Sequence, residues 1–293
     1  MYPVNFAYLK PGSIAEAVEF LCRYGDDAKL LAGGQSLVPM MKLRMARPKY
    51  LIDIHRIADL NYIREDAGSI RLGAMTRHGQ IEESSLIREK IPMLGEAASE
   101  IGDAQVRNRG TVGGGLAEAD PCGDYGPAAL ALNAHMKCVG PRGERVLPAV
   151  EFFTFAYTTA IEPDEILTEI IFPVPEKSSA GVYVKLEKVA GDFAIASAAV
   201  QLDLDNNGAC DQIGIGVAGG ATVPQKGLKA EILLRGKKIT AALIDQAGQL
   251  IQEDGEPIED MRGAASYKKK VLGAILRRAI TESLRRAESQ RSS

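Results

Sequence analysis

At 293 residues, with a 46% hydrophobic and 25% charged composition, the chain reads as soluble and globular, with room for two domains that each bury a core. A formal net charge of -3 excludes a general electrostatic pull toward nucleic acid or an anionic membrane, and points to small molecules or protein partners. No apolar run approaches the roughly 20 residues of a membrane helix, and residues 1–10 lack a basic stretch and long apolar core, so a cytoplasmic protein without a membrane span is expected.

Taken in chain order, Ser13 followed by Glu16 looks like a capping box. Ile14, Ala17, Val18 and Leu21 recur at helical spacing up to Gly25. A buried-strand run at 29–32, the turn Gly33-Gly34-Gln35-Ser36, a short helix over 37–43 and a strand at 50–54 then make a small βαβ unit. From 69 to about 173 the pattern is mixed, with strands near 70–72, 135–139, 145–147 and 166–172 and helices near 93–101 and 126–134. That is α+β rather than a regular alternation.

Pro173, Pro175, Ser178, Ser179 and Gly181 mark a linker, so a domain boundary is placed there. The expected division is 1–176, with subdomains of about 1–56 and 57–176, followed by a smaller domain over 177–293. In that second part, strands near 182–189, 195–204 and 209–217 are joined across Asp205-Asn206-Asn207-Gly208, a strong hairpin turn. A last helix over about 267–286 puts Leu272, Ile275, Leu276, Ala279 and Ile280 on one face. Lys268, Lys269, Lys270, Arg277, Arg278 and Arg285 fall largely on the other, a solvated outer face.

Cys22, Cys122, Cys138 and Cys210 are scattered without a C-x-x-C pair, and His55, His78 and His135 stand at no metal-binding spacing. A protein-ligated metal is not expected, so redox chemistry here would need an organic cofactor. Leu31-Ala32-Gly33-Gly34-Gln35-Ser36-Leu37 follows a strand and opens a helix. Its glycines let backbone N–H groups approach an anion, which suits a diphosphate, and Ser36 can add a hydroxyl donor. Thr111-Val112-Gly113-Gly114-Gly115, followed by Asp120 and Asp124, offers a flat surface and acids that can accept from sugar or polyol hydroxyls. Either loop alone also fits an ordinary turn; together they suit a dinucleotide. Gly214-Ile215-Gly216-Val217-Ala218-Gly219 fits G-x-G-x-x-G but sits on a returning hairpin strand and opens no helix, so it is rejected as a nucleotide site.

The stretch from Leu31 to Pro48, together with Val106-Arg-Asn-Arg-Gly-Thr-Val-Gly-Gly-Gly-Leu-Ala-Glu-Ala-Asp-Pro121 and Asp124, resembles the FAD-binding medium subunit of the carbon monoxide dehydrogenase and xanthine dehydrogenase family. Similarity continues through Tyr183-Val184-Lys185, Gly191-Asp192-Phe193-Ala194 and Tyr267-Lys-Lys-Lys270, nearly the whole chain. The resemblance implies a two-part FAD-binding domain of the PCMH type and a smaller antiparallel-sheet-plus-helices domain. By the same carry-over, residues 31–37 and 111–115 cradle the FAD diphosphate and adjoining parts. Asp124 binds the polyol region, Leu167 lies near the adenine, Lys185 approaches the pyrimidine edge of the ring, and Ile101 and Phe193 pack close to the cofactor. A cation near that edge stabilises the anion of reduced flavin, whereas pattern alone leaves Lys185 an exposed strand lysine and Phe193 a core aromatic. Gln35 replaces a histidine of some carbon monoxide dehydrogenases and Phe193 a tyrosine of some relatives, so the substrate is not read from the match.

The implied assembly contains a molybdenum-cofactor large subunit and a small subunit with two [2Fe–2S] clusters, as a dimer of heterotrimers. FAD here would collect electrons for NAD, oxygen or a quinone, and this chain would supply no catalytic acid or base. The competing reading is a self-contained FAD-dependent oxidase, which would need its own substrate pocket and general base.

Overall fold

The structure, a computed structural model, describes residues 2–176 and 179–291. It opens on a small parallel sheet of β1 (Ala7–Leu9), β2 (Ala28–Leu31) and β3 (Tyr50–Asp53) in the order β1-β3-β2. The helix Ile14–Tyr24 connects β1 to β2. Ser13 caps it by accepting from the Glu16 amide at 3.2 Å, but the Glu16 carboxylate accepts from the Gly12 amide, so the reciprocal box is displaced by one residue. Ala17, Val18 and Leu21 pack with Ile52, Ile54 and Leu60 into one core. β1 was not expected: it is three residues long, none of them buried, and gains its ladder only from β3 some forty residues on.

The next sheet is antiparallel: β4 (Ile63–Asp66), β5 (Ser69–Gly73), β6 (His135–Gly140) and β7 (Gly143–Pro148), then, after the two-stranded pair β8 (Phe153–Phe155) and β9 (Thr158–Thr159), β10 (Ile166–Pro173). Its order β4-β5-β10-β6-β7 puts β10 at the centre, where Ile170 and Phe172 are fully enclosed. The helices Pro92–Ser99, Val112–Glu118 and Tyr125–Ala131 pack with it into a second core. This mixed arrangement is the expected α+β class.

β11 (Ala180–Leu186), β12 (Ala196–Leu204), β13 (Cys210–Ala218) and β14 (Gln225–Lys226) form a sequential antiparallel sheet. Lys177 and Ser178 of the expected linker lie outside the described residues. The β12–β13 hairpin forms as read: the Asp205 carboxylate accepts from the Asn207 and Ala209 amides at 2.8 and 2.9 Å, and Gly208 takes φ +77°. Against this sheet the helix Ala265–Arg291 buries Leu272, Ile275, Leu276 and Ile280, each worth about 1.5–3 kcal/mol when removed from water. One residue of its basic set departs from expectation. Lys268 is 3% exposed and donates to the Ile258 carbonyl at 2.9 Å and pairs with Asp260 at 2.7 Å, because a loop folds over it. Among the described residues no helix is long and apolar enough to cross a membrane.

The rejected G-x-G-x-x-G string has a packing role. A Cβ on Gly214 would lie 1.9 Å from the Ala131 carbonyl oxygen, and one on Gly216 2.1 Å from that of Pro127. Glycine at these places lets the helix Tyr125–Ala131 of the first domain lie directly on β13 of the second.

Candidate functional site

β2 delivers the chain to Leu31, and the turn that follows is held open. Gly34 takes φ +75°, and the Val38 amide returns to the Gly34 carbonyl at 3.1 Å. The amides of Gly33, Gly34, Gln35, Ser36 and Leu37 have no protein acceptor among the described residues, and the Ser36 hydroxyl makes no cap. Backbone donors left without a protein acceptor must bond to water or to a ligand. Five in succession, with a free hydroxyl beside them, form the donor set that an anion such as a diphosphate takes.

The second glycine loop closes directly on the first. A Cβ on Gly33 would stand 2.5 Å from the Arg109 carbonyl oxygen and 2.6 Å from the Gly110 Cα, and one on Gly114 would reach 3.5 Å from the Ala32 Cβ. The two distant segments are therefore brought together at van der Waals contact. Their glycines do different work, however. In the second loop the Val112, Gly113 and Gly115 amides bond to the carbonyls of Thr76, Ala74 and Thr111, and the Thr111 hydroxyl accepts from Gly114 at 3.2 Å. Gly113 is glycine because a Cβ would fall 2.5 Å from that of Ala74. Behind the loop, His78 supports Gly110: its amide bonds to the Gly110 carbonyl at 3.1 Å, and its Nδ1 lies 3.0 Å from the Tyr125 hydroxyl. Burial first, and Arg107 second, lower the His78 pKa to about 4, so the ring is neutral.

Beyond Gly115, whose open side faces the Tyr125 ring, lies a buried ionic cluster. Lys185 has a side chain only 2% exposed; its Nζ stands 3.1 Å from Asp124, 3.0 Å from Glu187 and 2.9 Å from the Glu100 carbonyl oxygen. The exposed strand lysine allowed by pattern alone is thus not what forms. Asp124 also accepts from the Tyr183 hydroxyl at 2.6 Å. Burial pushes the Asp124 carboxyl up to about 6, against the downward pull of Lys185 and the Tyr183 hydroxyl.

Ile101 and Phe193 join this cluster through the backbone. Glu100 and Gly102 flank Ile101, the Arg107 guanidinium donates to the Ile101 and Gly102 carbonyls at 3.3 and 3.0 Å, and a Cβ on Gly191 would meet the Gly102 oxygen at 2.6 Å. Phe193 is 41% exposed, with the Arg262 guanidinium 5.6 Å from its ring centre. The two remaining expected residues stand apart. Leu167 is 6% exposed in the core of the β10 sheet, and Asp120 is engaged by the Cys122 amide at 2.8 Å and the Tyr157 hydroxyl at 3.2 Å. His78, Arg107, Tyr125 and Glu187 were not singled out from the sequence. Only Glu187 carried a signal, because residues 183, 185 and 187 fall on one face of an extended strand.

Residues 4–175 match the family model described as FAD binding domain in molybdopterin dehydrogenase, and residues 181–283 that described as CO dehydrogenase flavoprotein C-terminal domain. The protein is therefore a two-domain FAD-binding flavoprotein of the oxidoreductase class. Carbon monoxide dehydrogenase from Hydrogenophaga pseudoflava, in a form lacking the Mo-pyranopterin moiety, superposes with a TM-score of 0.96 at 40% identity over 98% of this chain and 99% of the other. The carbon monoxide dehydrogenase medium chain of Afipia carboxidovorans is 39% identical over 99% of this chain and 100% of its own length. The glyceraldehyde dehydrogenase medium chain of Sulfolobus acidocaldarius is 35% identical over 96% and 99%. This chain belongs to the family of FAD-binding medium subunits of the molybdenum hydroxylases.

Proposed function

We propose that this chain is the electron-transfer subunit of a molybdenum hydroxylase complex, taking electrons from [2Fe–2S] clusters of a partner and passing them to an external acceptor. The observation that carries the cofactor placement is the run of five amides, 33–37, that have no acceptor among the described residues, pressed against the loop at 109–115. Those amides and the Ser36 hydroxyl hold the FAD diphosphate, and the side of the second loop at Ala32 and Gly114 closes over it. Leu31 and Leu37 bound the cradle at its two ends, and Thr111, Val112, Gly113 and Gly115 fix its second wall.

Asp124 accepts from the polyol hydroxyls, and Asp120 offers a second acceptor. Leu167 packs toward the adenine, while Ile101 and Phe193 exclude water around the ring. The Lys185 ammonium, held in place by three oxygen neighbours, presents positive charge to the pyrimidine edge. When bound, FAD supplies the exchange between single-electron and paired-electron transfer that such a junction requires. The chain's own residues bind, orient and electrostatically tune the cofactor; none serves as a general acid or base.

The domain division falls at 176/177, with the first domain divided near 56; the family matches that end at 175 and resume at 181 support the main boundary. The partners are a molybdenum-cofactor large subunit and a [2Fe–2S] small subunit in a dimer of heterotrimers in the cytoplasm, with NAD, oxygen or a quinone as acceptor. The relatives' names, medium chains of dehydrogenases, support a multisubunit arrangement. The test is to titrate the purified, flavin-supplemented chain with FAD and to analyse the native complex for molybdenum and iron–sulfur polypeptides. A well-folded chain that stays colourless and binds no FAD refutes the cofactor site; a chain that isolates alone with FAD and oxidises substrate unaided refutes the relay.

A further inference from the structure

We propose that Glu187 is a positioning residue: it holds Lys185 and the 191–193 loop together at the flavin edge and sets the reduction potential of the cofactor through the negative charge it places beside the ammonium. This rests on the assignment of Lys185 to the ring edge made above. β11 ends at Leu186, and the alternation of its side chains carries Tyr183, Lys185 and then Glu187 to one side. The two oxygens of Glu187 have separate partners. Oε2 lies 3.0 Å from the Lys185 Nζ and is buried without a hydrogen bond of good geometry, so the ammonium is what compensates its charge. Oε1 accepts from the Gly191 amide at 3.1 Å.

Gly191 in turn is pressed onto the Gly102 carbonyl with φ +80°, and Glu100, two residues earlier, gives its carbonyl to Lys185 at 2.9 Å. A closed circuit results, from Lys185 through Glu187 to Gly191, across to the 100–102 turn and back to Lys185. Ile101 and Phe193 both ride on it. A single carboxylate therefore fixes the cation and the two apolar neighbours assigned to the ring.

The same carboxylate sets the charge. Asp124 and Glu187 flank one ammonium, and with both ionised the cluster carries one excess negative charge. That charge opposes the anion formed when flavin is reduced. Glu187→Gln removes it while keeping an amide oxygen that can accept from Gly191. The expected result is a flavin that favours its reduced form by about tenfold, a positive shift of about 30 mV for a two-electron couple. FAD stoichiometry stays unchanged. Glu187→Ala loses both partners and is expected to show the same direction of shift with weakened FAD retention.

The measurement is spectroelectrochemical titration of the flavin absorbance in the FAD-loaded full chain, for the wild type, Glu187→Gln, Glu187→Asp and Lys185→Met. A positive shift in Glu187→Gln, little change in Glu187→Asp and a negative shift in Lys185→Met support the proposal. If Lys185→Met shifts the potential and Glu187→Gln does not, the role of Glu187 is refuted and the place of Lys185 stands. If neither shifts in a yellow protein, Lys185 is not at the ring edge and the proposal falls with it. A colourless wild type overturns the cofactor site itself. Should Glu187→Gln not fold, an unshifted Glu187→Ala overturns the proposal equally.

Discussion

Substituting Gly33 by alanine tests the contact on which the cradle depends. Gly33 has an ordinary φ, so the methyl introduces no left-handed strain; its cost is steric. The new Cβ would lie 2.5 Å from the Arg109 oxygen and 2.6 Å from the Gly110 Cα, both backbone atoms that cannot rotate aside. Restoring van der Waals distance needs the two loops to part by about 1 Å, and overpacking of this kind costs about 1–3 kcal/mol. For a domain of this size a loss near 2 kcal/mol lowers the melting temperature by about 4–8 °C. The parting also misaligns amides that meet a charged ligand. One such hydrogen bond is worth about 1.5–3 kcal/mol, so the Kd for FAD should rise about 10- to 100-fold. Fluorescence titration with FAD and thermal melts measure the two effects. Gly68→Ala is the control: its position is open, its φ of +74° costs about 1 kcal/mol of left-handed strain, and FAD affinity should not change. A Gly33→Ala protein with wild-type melting temperature and wild-type FAD affinity would refute the reasoning.

Ser36→Ala should leave stability unchanged, since the hydroxyl has no partner among the described residues, yet weaken FAD binding about tenfold in the same titration, the worth of one hydrogen bond. Gly214→Ala should destabilise by about 3 kcal/mol or more, because no side chain can yield between β13 and the Ala131 carbonyl; denaturant unfolding reads the loss. Two buried groups give pH dependences of opposite sign. Asp124 is raised to about 6 in the folded chain from 3.8, so it keeps its proton on folding, and its contribution, present below pH 4, is lost as pH rises through 6, by about 3 kcal/mol. His78 is lowered to about 4 from 6.5, so its contribution, present above pH 6.5, is lost as pH falls through 4, by about the same amount. Between pH 4 and 6 the two slopes oppose each other. His78→Asn should therefore make stability fall more steeply with rising pH than in the wild type, and Asp124→Asn should make it rise more steeply. Parallel profiles for the three proteins in urea unfolding at each pH would contradict this assignment.

Much of the chain was legible because its signals are local. The Ser13 cap, the apolar face over 14–21, the Asp205–Gly208 turn and the apolar stripe of the last helix each follow from a few neighbouring residues and one repeat length. The glycine-serine turn after β2 and the Thr111–Gly115 loop were legible for the same reason, and the family resemblance added Lys185. What escaped depended on distant atoms. β1 and β4 are short and show little burial, so their hydrogen bonds to β3 and β5 alone make them strands. Lys268 appears as one more charge on a basic helix until the 256–264 segment folds across it.

The sequence by itself determined the backbone conformations available at each turn, the apolar faces of the elements and the kinds of donors and acceptors at hand. Tertiary structure alone decided that the 33–37 amides stay free while the 112–115 amides are consumed, that Gly33 and Gly214 are spaces for another segment's carbonyl, and that Lys185 lies buried between two carboxylates. The physical reason is that hydrogen-bond satisfaction and burial are properties of pairs. A residue's type fixes what it can offer, and only the packed neighbour, often distant in sequence, fixes what it meets.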